Sequence, residues 1–242
     1  MSNKKVWFVT GCSKGMGKAL VEELIAQGYP VAGTGRSKET LEKSIGVESD
    51  IFLPLSMNLK DEMDVKNAIA LATEKFGRID VIVNNAGFTH LATIEEMSDA
   101  DAREEFDINV FGTLNVIRNV LPQMRTQGCG HIFNVSSLGA YNVGPLSGIY
   151  CATKHAVKAI SETLAQEVKA FNIHVTDVKP GFMRTEFFGP SHKTTAPKDS
   201  SYKHLYDKNM EFYMGQNGNH VGDPKKAAKL YIKVAEMAEP YE

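Results

Sequence analysis

Short apolar runs alternate with longer amphipathic stretches along the chain. The runs at 6–10, 30–34, 51–55, 81–84, 131–136 and 174–179 are rich in Val, Ile and Phe and read as buried strands. Between them, apolar positions recurring every three or four residues predict helices at 16–26, 60–76, 99–127 and 147–171, with another at 223–237. Gly28, Gly77 and Gly128 stand where helix C-caps are expected. This alternation predicts an α/β fold, a single Rossmann-like doubly wound parallel sheet with helices on both faces. From 181 to 222 the pattern dissolves into Pro, Gly, Ser, His and aromatic residues, and a substrate lid is expected at 182–222. After the helix at 223–237 comes Pro240-Tyr241-Glu242 with no further apolar run. An edge strand common in such folds is therefore missing, or the sequence is truncated.

Composition narrows the class of partner. The 242 residues, 43% hydrophobic and 23% charged, suffice for one sizeable core, so one domain over 1–242 is expected. A formal charge of -2 offers no broad attraction for nucleic acid or an anionic membrane, which points to a small-molecule partner. Cys12, Cys129 and Cys151 are too few and too scattered for a disulfide framework, so a reducing cytoplasm is expected. The apolar run at 6–9 is far too short for a signal or a membrane span. Seven histidines form no i,i+4 ligand pair and no H-E-x-x-H element, so no metal is expected.

Candidate chemistry gathers at the predicted carboxyl ends of the strands. Thr10-Gly11-Cys12-Ser13-Lys14-Gly15-Met16-Gly17 lies between a strand and a helix. There, exposed backbone N–H groups and the helix dipole attract a pyrophosphate, and Gly11, Gly15 and Gly17 let it approach. The spacing is G-x-x-x-G-x-G, not the generic G-x-G-x-x-G. The second strand ends at Thr34-Gly35-Arg36 with no acid to accept a ribose 2′-hydroxyl, and Arg36 with Lys14 favours a 2′-phosphate, hence NADP(H). Tyr150 and Lys154, four apart on a predicted helix, share a face, and Ser137 precedes Tyr150 by thirteen residues. A neighbouring ammonium, a helix N-terminus and the nicotinamide charge are expected to draw the phenol from its usual value near 10 towards neutrality. Asn84-Asn85-Ala86-Gly87 and Asn109 are expected to join the same crevice.

Together these motifs resemble the short-chain dehydrogenase/reductase family, its NADPH-dependent carbonyl reductases in particular, over essentially the whole chain. The resemblance implies that Asn109, Ser137, Tyr150 and Lys154 form the catalytic tetrad. Tyr150 would protonate the carbonyl oxygen as hydride arrives, Ser137 would hydrogen-bond that oxygen, Lys154 would hold the ribose and acidify Tyr150, and Asn109 would order a water. The cofactor would meet Gly11, Ser13, Lys14, Gly15, Met16, Gly17 and Arg36, and then Asn85, Ala86, Gly87, Tyr150, Lys154, Pro180, Gly181 and Thr185. Asn58 stands where many members carry an adenine-contacting aspartate, so Asn58 and Leu59 are expected at the adenine with adjusted affinity.

The implied reaction is reversible reduction of a ketone or aldehyde to an alcohol. The alternatives are a β-ketoacyl thioester reductase and a non-catalytic NADP(H)-sensing regulator. An apolar carbonyl or alcohol substrate is expected against Ser137, Tyr141, Val143, Leu146, Phe182 and Phe187. The resemblance also implies a homodimer or homotetramer.

Overall fold

A computed structural model of the protein describes residues 4–189, 192–215, 220–237 and 240. Parts of the expected lid (190–191 and 216–219) and the tail residues Tyr241 and Glu242 lie outside the described residues. The chain runs β1 (Trp7–Val9), α1 (Gly15–Ala26), β2 (Val31–Gly35), α2 (Lys38–Ile45), β3 (Phe52–Ser56), α3 (Glu62–Phe76), β4 (Val81–Asn84) and β5 (His90–Leu91). It continues through α4 (Asp99–Phe106), α5 (Gly112–Gln127), β6 (Gly130–Val135), α6 (Gly148–Val168), β7 (Ile173–Val178), β8 (Lys193–Thr194), α7 (Lys203–Gly215) and α8 (Pro224–Ala235).

Six strands form one parallel sheet in the order β3-β2-β1-β4-β6-β7. The order reverses between β1 and β4, which places an open crevice beyond their carboxyl ends. Side-chain alternation explains why both faces are covered. Trp7 and Val9 point to the layer holding Leu20, Leu24, Leu41, Phe133, Tyr231 and Ile232, whereas Phe8 between them joins Val65, Ile69, Ile82, Val116, Ile132 and Leu164 on the opposite face. Burial of each such large side chain contributes about 1.5–3 kcal/mol, so the sheet is a rigid floor for whatever binds at its edge.

Three elements differ from the sequence-based expectation. Lys38–Ile45 forms a helix, α2, begun by Ser37 accepting from the Thr40 N–H, and its few apolar positions, Leu41 and Ile45, had hidden it. The helix expected at 99–127 is broken by a π-turn at Asp107–Phe111. The third difference is the lid, which carries a 13-residue helix, α7, where loop was expected. Tyr206, Met210, Tyr213 and Met214 recur at helical spacing and pack with Leu91, Leu146 and Phe188, so the lid has a small core of its own. Its start is fixed by β8, which pairs in parallel with β5 through His90 beside Lys193 and Leu91 beside Thr194. No helix among the described residues is long and apolar enough to cross a membrane.

A ladder of side-chain hydrogen bonds runs through the sheet layer. Asn84 donates to Asn134 Oδ1 at 2.8 Å, Asn134 donates to Ser161 Oγ at 2.9 Å, and Ser161 donates to the Val157 carbonyl at 2.7 Å, tying β4, β6 and α6 together. His131, stacked on Phe133 at 4.0 Å and bonded to Thr176 Oγ1, is buried, and burial pushes its imidazole down to about 3. A depressed histidine favours folding while neutral, so that stability is complete above the unfolded value of about 6.5 and is lost as pH falls towards 3. The urea midpoint should therefore fall between pH 7 and pH 5, and His131→Gln should flatten that part of the slope.

Candidate active site

The floor of the crevice is a stitch between two loops. Thr10 Oγ1 accepts from the backbone N–H of Asn85 and of Ala86, each at 3.0 Å, and the Asn85 carboxamide donates back to the carbonyls of Thr10 and Gly11 at 2.9 and 3.1 Å. The turn after β1 is thereby pressed against the loop after β4. Space is so short that a Cβ on Gly11 would lie 2.8 Å from Ala86 Cα, and one on Gly17 would lie 2.4 Å from the Gly11 carbonyl oxygen. Gly11 also has φ +71, a conformation in which a side chain is strained. The result is the bare N-terminus of α1 facing the crevice, a cradle that fits a dinucleotide pyrophosphate.

Other expected cofactor residues line the same edge. Ser13, Lys14, Gly15 and Thr185 border a cleft of about 570 Å³ that Lys18, Arg184 and Lys225 make basic. Arg36 is exposed at the end of β2, and Met16 packs against the core beneath the turn. Asn58 and half-buried Leu59 follow β3. The Asn58 Oδ1 accepts from the Lys60 N–H at 3.2 Å and its N–H donates to Asp64 at 2.6 Å, so the segment is ordered as the lead-in to α3. Pro180 and exposed Gly181 adjoin the site through the Leu138 N–H, which donates to the Pro180 carbonyl at 3.1 Å.

The four expected catalytic side chains converge. Ser137 lies two residues past β6 at the start of the 3₁₀ turn Leu138–Ala140, where its Oγ accepts from the Gly139 N–H at 3.0 Å and acts on the Tyr150 phenol. Tyr150 stands in the first turn of α6 and Lys154 one turn further, its Nζ 5.6 Å from the phenol ring centre. Lys154 is buried and donates to the Val135 carbonyl at 2.8 Å, which leaves two ammonium protons for the crevice. Gly87 fits between these groups, because a Cβ there would lie 3.0 Å from Asn109 Oδ1 and 3.5 Å from Lys154 Nζ.

Asn109 sits in the π-turn, and its carboxamide is fully engaged. It accepts from the Phe88 N–H at 3.0 Å and donates to the Phe88 carbonyl at 2.9 Å and to Thr153 Oγ1 at 3.1 Å. The extra residue of the π-turn swings this side chain towards α6, and π-turns inside α-helices recur at functional sites for such reasons. No sequence signal distinguished this turn from continuous helix.

The acidity of Tyr150 departs from expectation. Burial pushes the phenol up to about 12, with the Ser137 hydrogen bond acting in the opposite direction and the Glu105 carboxyl adding to the rise. The protein's own groups therefore keep Tyr150 a protonated donor.

The expected substrate residues divide. Leu146 is buried and lines a cavity of about 480 Å³ with Ala92, Ile94, Pro145, Tyr202 and Leu205. The ring centre of Phe187 lies 5.9 Å from that of Tyr150, and Phe182 stacks on His220 at 4.8 Å within the lid. Tyr141 instead lies on the outer surface beneath two cations, Lys158 Nζ at 5.3 Å and Lys179 Nζ at 5.6 Å, and Val143 is 73% exposed. Bracketing by Ser137 and Tyr150 did not bring these two side chains into the cavity, because the 3₁₀ turn Leu138–Ala140 turns the chain outward. Tyr202 belongs to the expected aromatic lid, whereas sequence reasoning missed Ile94 of the β5–α4 loop and Leu205 of the lid. Among the described residues no cluster of His, Cys, Asp and Glu could hold a metal ion.

Comparison with known proteins agrees with this geometry. The family model described as short chain dehydrogenase matches residues 5–196. The chain belongs to the short-chain dehydrogenase family. Oxidoreductase BOA17 of Botryotinia fuckeliana is 35% identical over 98% of this chain and 86% of its own length. A short-chain dehydrogenase from Streptomyces avermitilis superposes with a TM-score of 0.90 at 34% identity, covering all of this chain and 87% of the other. ElxO with NADP bound superposes with a TM-score of 0.81 at 26% identity, over 99% of this chain and 94% of its own. In this chain the cradle and the Tyr150–Lys154 helix stand on one sheet edge.

Gly17→Ala tests the stitched floor. The added methyl group meets backbone at 2.4 Å and the Asn85 carboxamide at 2.5 Å, so dinucleotide affinity measured by fluorescence titration should fall at least about tenfold.

Proposed function

We propose that the protein is an NADPH-dependent carbonyl reductase that converts a ketone or aldehyde to an alcohol and runs in reverse on the alcohol. The observation that carries this reading is the convergence of Ser137, Tyr150 and Lys154 beside the bare α1 N-terminus, with the ring centre of Phe187 5.9 Å from that of Tyr150. The nicotinamide, when bound, supplies or accepts the hydride.

The chain's own residues do the rest. The Tyr150 hydroxyl holds the proton that the carbonyl oxygen acquires, and Ser137 Oγ offers a second donor where negative charge develops on that oxygen. An ammonium at Lys154 favours the phenolate left when Tyr150 gives up its proton, which opposes the burial that otherwise holds the phenol at about 12. Asn109 holds the loop after β4 against α6, so that Gly87 leaves room beside Lys154. Leu146 and Ile94 in the cavity, and Phe187 beside Tyr150, offer apolar surface that favours a hydrophobic carbonyl compound.

The preference for NADPH rests on Arg36 and Lys14 at the mouth of the cradle, in the absence of an acid at the end of β2. A reducing cytoplasm suits the three free cysteines, two of them buried. Assembly as a homodimer or homotetramer remains part of the reading and is open to analytical ultracentrifugation.

Turnover is tested by following NADPH, with NADH in parallel, against aryl ketones, β-keto esters, steroids, retinal and a β-ketoacyl thioester. Tyr150→Phe should reduce kcat by about 10²–10⁴-fold while leaving the NADPH dissociation constant within about twofold. An unchanged rate would remove Tyr150 from its role. Arg36→Ala should weaken NADPH binding by about tenfold or more and leave NADH binding unaltered, because only the 2′-phosphate loses a charged partner.

A further inference from the structure

The turn that leads into α6 carries a strained residue to which the reaction described above gives no part. Leu146 has φ +66, a left-handed backbone that a bulky side chain seldom adopts. Such a conformation persists only where its surroundings over-determine it. Leu146 immediately precedes Ser147, the N-cap of α6, and Tyr150 stands in the first turn of that helix. Whatever holds Leu146 therefore also aims the proton donor.

Contacts from three directions hold the turn. Within it, the Ser147 hydroxyl donates to the Gly144 carbonyl at 3.0 Å. From the residue after β5, the Ala92 N–H donates to the Leu146 carbonyl at 2.9 Å. The third contact comes from the lid, where the hydroxyl of buried Tyr213 on α7 donates to the Pro145 carbonyl at 3.1 Å and lies 3.4 Å from Ser147 Oγ. The fit is close, because a Cβ on Gly144 would lie 3.2 Å from the Tyr213 oxygen. The Leu146 side chain is itself buried with Leu91 and Tyr213 in the lid core.

Tyr213 reaches Tyr150 by a second route. Its ring stacks on Phe188 with centres 5.4 Å apart, Phe188 meets Phe187 edge to face at 5.3 Å, and Phe187 lies 5.9 Å from Tyr150. The contacts thus close a circuit from Tyr150 through Phe187 and Phe188 to Tyr213, then through Pro145 and Ser147 back to the first turn of α6. Packing alone accounts for the ring of Tyr213. It does not account for the hydroxyl, which is spent on the strained turn.

We propose that Tyr213 is a positioning residue for the reaction, its hydroxyl fixing the turn at 144–147 so that Tyr150 is correctly set only while α7 is docked. Docking of the lid and alignment of the proton donor are then one event. This rests on the reductase reading.

The test uses Tyr213→Phe, which keeps the ring and removes only the hydroxyl. At saturating NADPH its kcat should fall about tenfold with the carbonyl KM within about twofold, a split that loosened packing of the lid against substrate would not produce. A folded Tyr213→Phe enzyme with the kcat of the wild type overturns the proposal. A second measurement, hydrogen exchange at single amides followed by NMR, needs no turnover. The N–H groups of Ala92 and Cys151, which donate to the carbonyls of Leu146 and Ser147, should exchange about tenfold faster in Tyr213→Phe, while the amides of β6 keep their rates. Unchanged exchange at both overturns the proposal, whatever becomes of the reductase reading. If the variant does not fold, the wild-type protein in low urea decides the matter. There the amides of Ala92, Cys151 and α7 should open together, and protection of Ala92 and Cys151 that outlasts that of α7 overturns the proposal.

Discussion

Everything at the active edge depends on one reciprocal set of hydrogen bonds, in which Thr10 and Asn85 each use side-chain atoms to hold the other's backbone. The bonds span loops seventy-five residues apart in sequence, yet they fix the α1 N-terminus relative to the loop that carries Gly87. Individually each contributes on the order of 1 kcal/mol. Their importance is geometric, because a pyrophosphate on α1 and a proton donor on α6 are useful only at a fixed separation, and that separation runs through this stitch and the Asn84–Asn134–Ser161 ladder.

A second constraint is dryness. The site gathers a phenol, an ammonium and a carboxyl where water is scarce, and burial moves all three towards their neutral forms. The proton affinities of Lys154 and Glu105, far apart in water, are thereby drawn together near 8, while that of Tyr150 moves away from them to about 12.

How much of this was legible in the sequence follows from how local each feature is. The six strands and the cradle were readable because runs such as Val81–Asn84 are buried on both faces, and because Gly11, Gly15 and Gly17 cluster between one strand run and one helical pattern. Ser137, Tyr150 and Lys154 were singled out by motif spacing, and the fold brings them close together. The π-turn was not, since Asp107–Phe111 has the composition of ordinary helix and only tertiary pairing of Asn109 with Phe88 and Thr153 favours it. Helix α7 was hidden by its exposed polar face, although Tyr206, Met210 and Tyr213 carried a helical period. Tyr141 was placed wrongly because proximity along the chain says nothing about which way a side chain leaves a turn. Glu105 gave no signal at all, since a glutamate in a polar helix is ordinarily solvated.

The lid is fastened differently from the sheet. Glu96 accepts from the N–H groups of Lys198 and Asp199 at 2.9 and 3.2 Å, Tyr202 donates to Glu95 at 2.7 Å, and Thr194 meets Tyr206 at 2.8 Å, all in contact with solvent. Bonds of that kind exchange readily with water and contribute little each. The cap beside the cavity is therefore held less firmly than the sheet, and access beneath it becomes a matter of local breathing.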